Sequence, residues 1–200
     1  MSSGFSRVIQ GCMNWGKWGN SLSTSEMEKL IHFNLESGIS SFDHADIYGD
    51  YTTESDFGKA LKNSTVRRED IQLISKCGIQ YVGKSRPNNT VKHYQYDSSY
   101  IIYSAEKSIK DLNAEYLDLF LLHRPSPLMH PDEIREGIEK LLNDGKIKSF
   151  GVSNFSNGQT DLISTSSKVS ANQIQFSLSH NTPLFDSTLD YMMINNITPM

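Results

Sequence analysis

Short apolar runs alternate along the chain with segments of helical periodicity. The runs are rich in Ile, Leu, Val and Phe, which is typical of strands buried on both faces. We predict strands at residues 8–12, 39–43, 71–76, 117–123, 147–153, 172–178 and 197–200, the last being the start of a seventh strand. Their spacing leaves room for a helix between most neighbours.

The clearest helix signal is a capping box, in which Glu26 follows Ser23 by three residues and apolar residues then recur on one face. We predict that Gly38 ends this helix and that Gly145 ends the helix beginning near Pro131. Further helices are predicted at residues 54–61, 102–112, 159–166 and 188–195. The polar segment 78–97 is predicted to be a long loop, a feature that is usually functional or mobile.

This serial β-α array predicts either an open doubly wound sheet or a closed (β/α)8 barrel. No glycine-rich phosphate-binding motif follows the first strand, and polar residues recur at the carboxyl ends of many strands, so the barrel is favoured. A full TIM barrel needs eight strands in roughly 250 residues. We therefore predict an α/β fold in one domain, residues 1–200, that forms an incomplete barrel of about six β/α units plus the start of the seventh strand.

The composition argues against some classes of binding partner and indicates a cellular compartment. The net charge of −4 and the pI near 5.8 argue against binding to nucleic acid or to an anionic membrane. No apolar run approaches the roughly 20 residues of a membrane span, and residues 1–6 do not resemble a signal peptide. Cys12 and Cys77 are too few for a disulfide framework or a metal site, so a reduced, cytoplasmic location is expected. The sequence does not indicate an oligomeric state.

Four ionisable residues lie at predicted carboxyl ends of strands, namely Asp43, Tyr48, Lys76 and His123. In a barrel these ends converge on one mouth, so the four side chains are expected to meet. A lysine charge lowers the pKa of a neighbouring phenol, and Asp43 would keep that lysine charged. His123 could donate a hydrogen bond to a carbonyl oxygen. The set suits protonation of that oxygen while a hydride reaches its carbon.

The same stretch also permits a different chemistry. His44 and Asp46 could join His123 as metal ligands, which would make the protein a metal-dependent hydrolase on the same fold. Alternatively, His44 and Asp46 simply order the loop. Cys77, beside Lys76, is expected to be an inert buried thiol.

Aromatic residues flank the predicted site. Trp15 and Trp18 follow the first strand, and Tyr51 follows Tyr48 closely. Such side chains either line a pocket for apolar carbonyl compounds or cover the barrel rim, and the sequence leaves both alternatives open.

Several motifs resemble the aldo-keto reductase family, specifically its bacterial-type oxidoreductases. They are DHADIYG at 43–49, ESDFGKAL at 54–61, SKCG at 75–78, LDLFLLHRPSP at 117–127, GKIKSFGVSNF at 145–155 and NQIQFS at 172–177. They follow the family order over nearly the whole chain. The resemblance implies a cytoplasmic enzyme that uses NADPH/NADP to reduce a small-molecule carbonyl substrate, an aldehyde or a ketone, to the alcohol.

The resemblance also implies roles for individual residues. Asp43, Tyr48, Lys76 and His123 match the catalytic tetrad of the family, with Tyr48 as general acid. The positions implied in cofactor binding are Gly11, Cys12, Met13, Asp43, Ser153, Asn154 and Gln173, of which Ser153, Asn154 and Gln173 match residues that bind the nicotinamide carboxamide. No metal is implied.

Family members continue beyond the ITPM sequence at 197–200, into parts that bind the phosphates and adenosine of the cofactor. We therefore expect the 200-residue chain, read as a C-terminally truncated member, to bind NADPH weakly and to turn over little. Preference for NADPH over NADH rests on the family alone. A non-catalytic subunit that senses nicotinamide or binds a partner is the alternative, although Tyr48 and Lys76 are both present.

Overall fold

The computed structural model describes residues 4–200, and a curved, mainly parallel sheet forms its centre. Nine strands were found in these residues: β1 (Ile9–Gly11), β2 (Ser41–Asp43), β3 (Gln72–Cys77), β4 (Ile79–Gln80), β5 (His93–Tyr94), β6 (Leu119–Leu122), β7 (Phe150–Ser153), β8 (Ala171–Gln173) and β9 (Thr198–Pro199). All but β4 and β5 form one sheet in the order β1-β2-β3-β6-β7-β8-β9, in which every neighbouring pair is parallel.

Helices connect the strands and cover the outer face of the sheet. Those present in the described residues are α1 (Thr24–Glu36), α2 (Tyr48–Tyr51), α3 (Thr53–Asn63), α4 (Ser98–Asp111), α5 (Pro131–Asn143), α6 (Asn157–Ser164) and α7 (Thr188–Ile194). Of these, α2 is a single irregular turn, because the backbone of Gly49 and Asp50 is not helical. Short 3-10 helices add Met13–Trp15, Arg68–Asp70 and Thr182–Leu184. None of the helices within residues 4–200 is both long and apolar enough to cross a membrane.

The sheet curls far enough to bring distant strands together. The Gln173 amide of β8 donates to the Asp43 carboxylate of β2 over 3.1 Å, although 130 residues separate the two. Ile9 and Met200, from the two ends of the sheet, pack on one inner apolar cluster that includes Leu119. The predicted fold, an incomplete (β/α)8 barrel, is confirmed.

A larger apolar core lies between the sheet and the surrounding helices. The helices approach closely at Gly58 of α3, where an added Cβ atom would overlap the Asp111 carbonyl oxygen of α4. The gap between these helices is therefore set by the absence of a side chain, which explains a glycine inside a helix despite its low helical propensity.

The start of α1 and the ends of α1 and α5 were predicted correctly, whereas α4 begins at Ser98, four residues before the predicted start at 102, because the Asp97 carboxylate caps it by accepting from the Tyr100 amide over 3.0 Å. The Glu26 amide donates to the Ser23 hydroxyl, and the Ser23 amide donates in return to the Glu26 carboxylate over 2.8 Å, which completes the capping box. Gly38 and Gly145 follow α1 and α5 with φ of +76° and +67°, the left-handed conformation that glycine adopts most readily.

Two further segments differ from the prediction. The strand predicted at 172–178 ends at Gln173, because the chain turns back and Ser177 and His180 exchange backbone hydrogen bonds of 2.9 and 3.1 Å. The segment 78–97 is more ordered than the predicted loop, since β4 and β5 pair as an antiparallel hairpin. Both differences come from chain reversals that apolar periodicity does not encode.

Candidate active site

The four predicted tetrad residues meet at the carboxyl ends of β2, β3 and β6. Asp43 ends β2, Lys76 is the penultimate residue of β3, and His123 directly follows β6. Tyr48 begins the short segment after β2, and parallel pairing of β3 with both neighbouring strands aligns these ends. The structure therefore assembles the predicted set from three separate strand ends.

Lys76 is the centre of this cluster. Its side chain is only 1% exposed, and its ammonium donates to the Asp43 carboxylate at 2.8 Å, the His44 carbonyl at 2.6 Å and the Tyr48 hydroxyl at 3.2 Å. An ammonium has three protons to donate, so these bonds satisfy it fully. A buried charge is tolerated when it is paired and hydrogen-bonded in this way.

The cluster fixes the protonation of its two central members. Burial alone would lower the pKa of Lys76, but Asp43 and Tyr48 raise it above its ordinary value, so the ammonium stays charged. Burial raises the pKa of the Tyr48 phenol, and the opposing effect of Lys76 does not fully offset it. Lys76 thus lowers the pKa of the phenol as expected, but burial outweighs this effect and the pKa of Tyr48 lies above its ordinary value.

His123 stands beside the phenol as a neutral ring. The two rings meet edge to face with centroids 5.9 Å apart. Burial, and then the charge of Lys76, lowers the pKa of His123 to about 2. Its Nδ1 is buried with no hydrogen-bond partner in the part of the chain that the structure describes. His123 can therefore exchange hydrogen bonds at neutral pH, but it does not serve as a cationic acid.

Amide and hydroxyl groups extend the site at the ends of β7 and β8. The Asn154 backbone amide donates to the Gln173 carbonyl over 2.8 Å, and the Asn154 side chain donates to the Ser153 hydroxyl over 3.0 Å. Because Gln173 also donates to Asp43, the predicted carboxamide-binding residues adjoin the predicted tetrad.

The end of β1 contributes the remaining predicted residues. Gly11 is paired in register with Asp43, and the next amide, of Cys12, donates to the Asp43 carbonyl over 2.9 Å. Cys12 is fully buried, and burial raises the pKa of its thiol, whereas Met13 is exposed. Gly11 and Met13 are therefore accessible beside the site, while the buried thiol of Cys12 donates to the Gln10 carbonyl over 3.6 Å.

His44, Asp46 and His123 are not assembled as metal ligands. The His44 ring packs edge to face on Phe57, with centroids 4.4 Å apart, and burial lowers its pKa to about 3. The Asp46 carboxylate instead accepts hydrogen bonds from hydroxyls of α4 (Tyr100 and Ser104) at 3.2 and 3.0 Å. No group of three possible metal-binding side chains occurs within residues 4–200.

A second buried carboxyl group lies behind the site and was missed in the sequence. Glu54 of α3 accepts hydrogen bonds from Ser75 at 2.5 Å and from Ser108 at 2.9 Å. Burial raises its pKa to about 7, and burial likewise raises the pKa of Asp46 to about 7. The available signal was the pair Ser104 and Ser108, spaced four residues apart on an otherwise apolar face of α4.

The aromatic residues divide between core and mouth. Trp15 is buried against Phe57, with centroids 5.9 Å apart, so it belongs to the core. Trp18 is 38% exposed and lies between Tyr48 and Tyr81, with centroid distances of 6.4 and 5.6 Å. Trp18 is thus placed where it could contact a ligand beside Tyr48, whereas Tyr51 is buried.

Known proteins of one family resemble this chain in sequence and in fold. The sequence pattern of the aldo/keto reductase family matches residues 7–198. The uncharacterized oxidoreductase YcsN of Bacillus subtilis (strain 168) is 40% identical over 98% of this chain, and the oxidoreductase YdhF of Escherichia coli (strain K12) is 38% identical over 98%. The solved structure of the glycerol dehydrogenase AKR11B4 from Gluconobacter oxydans superposes with a TM-score of 0.82 at 26% identity, covering 100% of this chain and 63% of that one.

The match covers only part of each relative. The chain spans 65% of the length of YcsN and 65% of YdhF. The residues matched by the family pattern, 7–198, include all four predicted tetrad residues. The chain belongs to the aldo/keto reductase family.

Proposed function

We propose that this protein is an oxidoreductase that reduces an aldehyde or ketone to the alcohol with NADPH. The observation that carries the proposal is the buried contact between Lys76 and Tyr48, with Asp43 on one side and neutral His123 on the other. This arrangement keeps a weak acid protonated beside a fixed positive charge. A carbonyl oxygen that gains negative charge needs both features.

The polar groups at the strand ends fit a nicotinamide. Ser153, Asn154 and Gln173 together present a hydroxyl and two amides at adjacent positions, which match the donor and acceptor atoms of a carboxamide. These residues would hold the nicotinamide, and Gly11 and Met13 would border it. When bound, NADPH supplies the hydride.

The residues of the chain supply the proton and stabilise the phenolate that its transfer leaves behind. Tyr48 donates its hydroxyl proton to the carbonyl oxygen, and Lys76, 3.2 Å away, stabilises the phenolate that remains. Asp43 keeps Lys76 charged and oriented. The low pKa of His123 leaves its ring neutral, so this residue is not the source of the proton. It instead orients the carbonyl group through a hydrogen bond.

The test is the rate of NADPH oxidation with a panel of aldehydes and ketones. Tyr48→Phe removes the acid and keeps the ring, so we expect kcat to fall by roughly 10²–10⁴-fold. Tyr103→Phe is the matched control, since its exposed ring makes the same chemical change away from Lys76. Undiminished activity of Tyr48→Phe would exclude this tyrosine as the acid. Saturable NADPH binding without turnover of any carbonyl compound would instead favour the non-catalytic alternative.

A further inference from the structure

The backbone directly after Tyr48 adopts an unusual conformation. Gly49, Asp50 and Tyr51 are consecutive left-handed residues, with φ of 60°, 57° and 63°. Glycine tolerates this region and aspartate visits it, but a tyrosine there is strained. Such a turn persists only when the surrounding structure holds it.

The hairpin at residues 79–94 provides one set of restraints, through Tyr51. The Tyr51 hydroxyl donates to the Ile79 carbonyl at 3.2 Å and accepts from the Tyr81 amide at 3.0 Å. The Arg86 guanidinium covers the Tyr51 ring, 4.7 Å from its centroid. The hydrogen bonds to the Tyr51 hydroxyl and the cation over its ring therefore all come from one hairpin.

The same hairpin also restrains Asp50. The Ser85 amide donates to the Asp50 carboxylate over 3.3 Å, and Gly83 lies so close that a Cβ atom there would overlap this carboxylate. Trp18 closes the arrangement from the opposite side by contacting both Tyr48 and Tyr81. Two of the three left-handed residues are thus held by hairpin atoms.

We propose that the hairpin at residues 79–94 acts as a strap that holds the left-handed turn at residues 49–51 and thereby positions Tyr48 against Lys76. Tyr51 is then a positioning residue, because it acts through the backbone that it shares with Tyr48. The catalytic part of the inference rests on the proposed function, in which Tyr48 is the acid.

The strap predicts a specific kinetic effect. The Tyr48 hydroxyl must stay near Lys76 during proton transfer, and small misplacements of a reacting group reduce the rate strongly. Substrate and cofactor binding do not depend on the Tyr51 hydroxyl, which points into the hairpin. Loosening the strap should therefore lower kcat while leaving KM nearly unchanged.

The experiment compares Tyr51→Phe with Tyr103→Phe. Arg86 stacks on both rings, at 4.7 and 5.7 Å, so each variant keeps a ring under the same cation and loses only a hydroxyl. Hydrogen exchange followed by mass spectrometry reports on the amides of residues 48–52. We expect about tenfold faster exchange there in Tyr51→Phe, with unchanged exchange in β3 as the internal reference. Tyr103→Phe should match the parent protein.

Two outcomes would overturn the strap. One is unchanged exchange at residues 48–52 in Tyr51→Phe, and the other is faster exchange spread equally over β3, which would indicate global destabilisation only. In the kinetic arm we expect roughly tenfold lower kcat for Tyr51→Phe at constant KM. A raised KM at constant kcat would contradict the positioning role. If no variant turns over any carbonyl compound, the proposed function fails, and the exchange experiment still decides whether the strap exists.

Discussion

Three buried ionisable side chains lie around β2 and β3, and their hydrogen-bond partners decide how far burial shifts the pKa of each. Lys76 stays charged because an opposite charge and two further acceptors surround its ammonium. Asp46 and Glu54 accept hydrogen bonds from hydroxyl groups, which compensate a carboxylate less well than a cation does. The outcome is a fixed charge at the site and two carboxyl groups behind it whose pKa lies near neutrality.

These carboxyl groups make stability depend on pH. Burial raises the pKa of Asp46 to about 7, while the unfolded chain has the ordinary value. Between about pH 4 and 7 the folded state therefore holds a proton that the unfolded state has lost, and the free energy of unfolding falls as pH rises, by at most about 1.4 kcal/mol per pH unit for each group. The fall should level off above the folded-state pKa. Glu54 adds a contribution of the same sign.

Asp46→Asn tests this dependence because it preserves the shape and removes the titration. Urea unfolding at several pH values should show a shallower decrease of the free energy of unfolding than in the parent protein. Asp132→Asn, at an exposed position of α5, should leave the slope unchanged. An equally steep slope in Asp46→Asn would contradict the assignment of this proton to Asp46.

At the level of single residues, the sequence predicts the ionisable side chains at the strand ends, but it does not predict the buried carboxyl group behind them. Asp43, Tyr48, Lys76 and His123 were predictable because parallel strands bring their carboxyl ends to one mouth. Glu54 was not, because its partners come from β3 and α4, two elements whose mutual packing the sequence does not display.

The helices around the site are positioned by close backbone contacts as well as by the packing of their apolar faces. Gly58 lets α3 approach the end of α4, and α3 carries the buried carboxyl group of Glu54. The spacing of the two helices therefore bears directly on the hydrogen bonds behind Lys76.

Gly58→Ala should destabilise the protein by about 1–3 kcal/mol, because the added methyl group would displace the backbone of α4. Gly158→Ala in α6 is the matched control, since open space surrounds its would-be Cβ atom and alanine favours a helix. Chemical denaturation should show a lower midpoint for the first variant and an equal or higher midpoint for the second. Equal midpoints would mean that α3 and α4 separate without cost.

Element boundaries show where sequence patterns stop being informative. Helix ends followed the capping box at Ser23 and the glycines at 38 and 145, because those signals act within a few residues. The end of β8 and the hairpin of β4 and β5 depend on reversals in polar segments. In such segments the alternation of apolar residues is absent or misleading.

For the whole molecule, curvature of the sheet is what completes the site. The 3.1 Å hydrogen bond from Gln173 to Asp43 joins β8 to β2 across the mouth, so the groups proposed to hold the nicotinamide lie beside the groups proposed to deliver the proton. The barrel was predictable from the serial order of strands, but this contact was not, since it depends on how far the sheet curls.

The most direct test of the central claim is deuterium transfer. The protein is incubated with a carbonyl compound and with NADPH in which both hydrogens at C4 of the nicotinamide are replaced by deuterium, and the alcohol is analysed by mass spectrometry. We expect deuterium on the former carbonyl carbon, and we expect Tyr48→Phe to form the deuterated alcohol roughly 10²–10⁴-fold more slowly. Alcohol without deuterium, or deuterated alcohol formed equally fast by Tyr48→Phe, would contradict the proposed hydride transfer with Tyr48 as the acid.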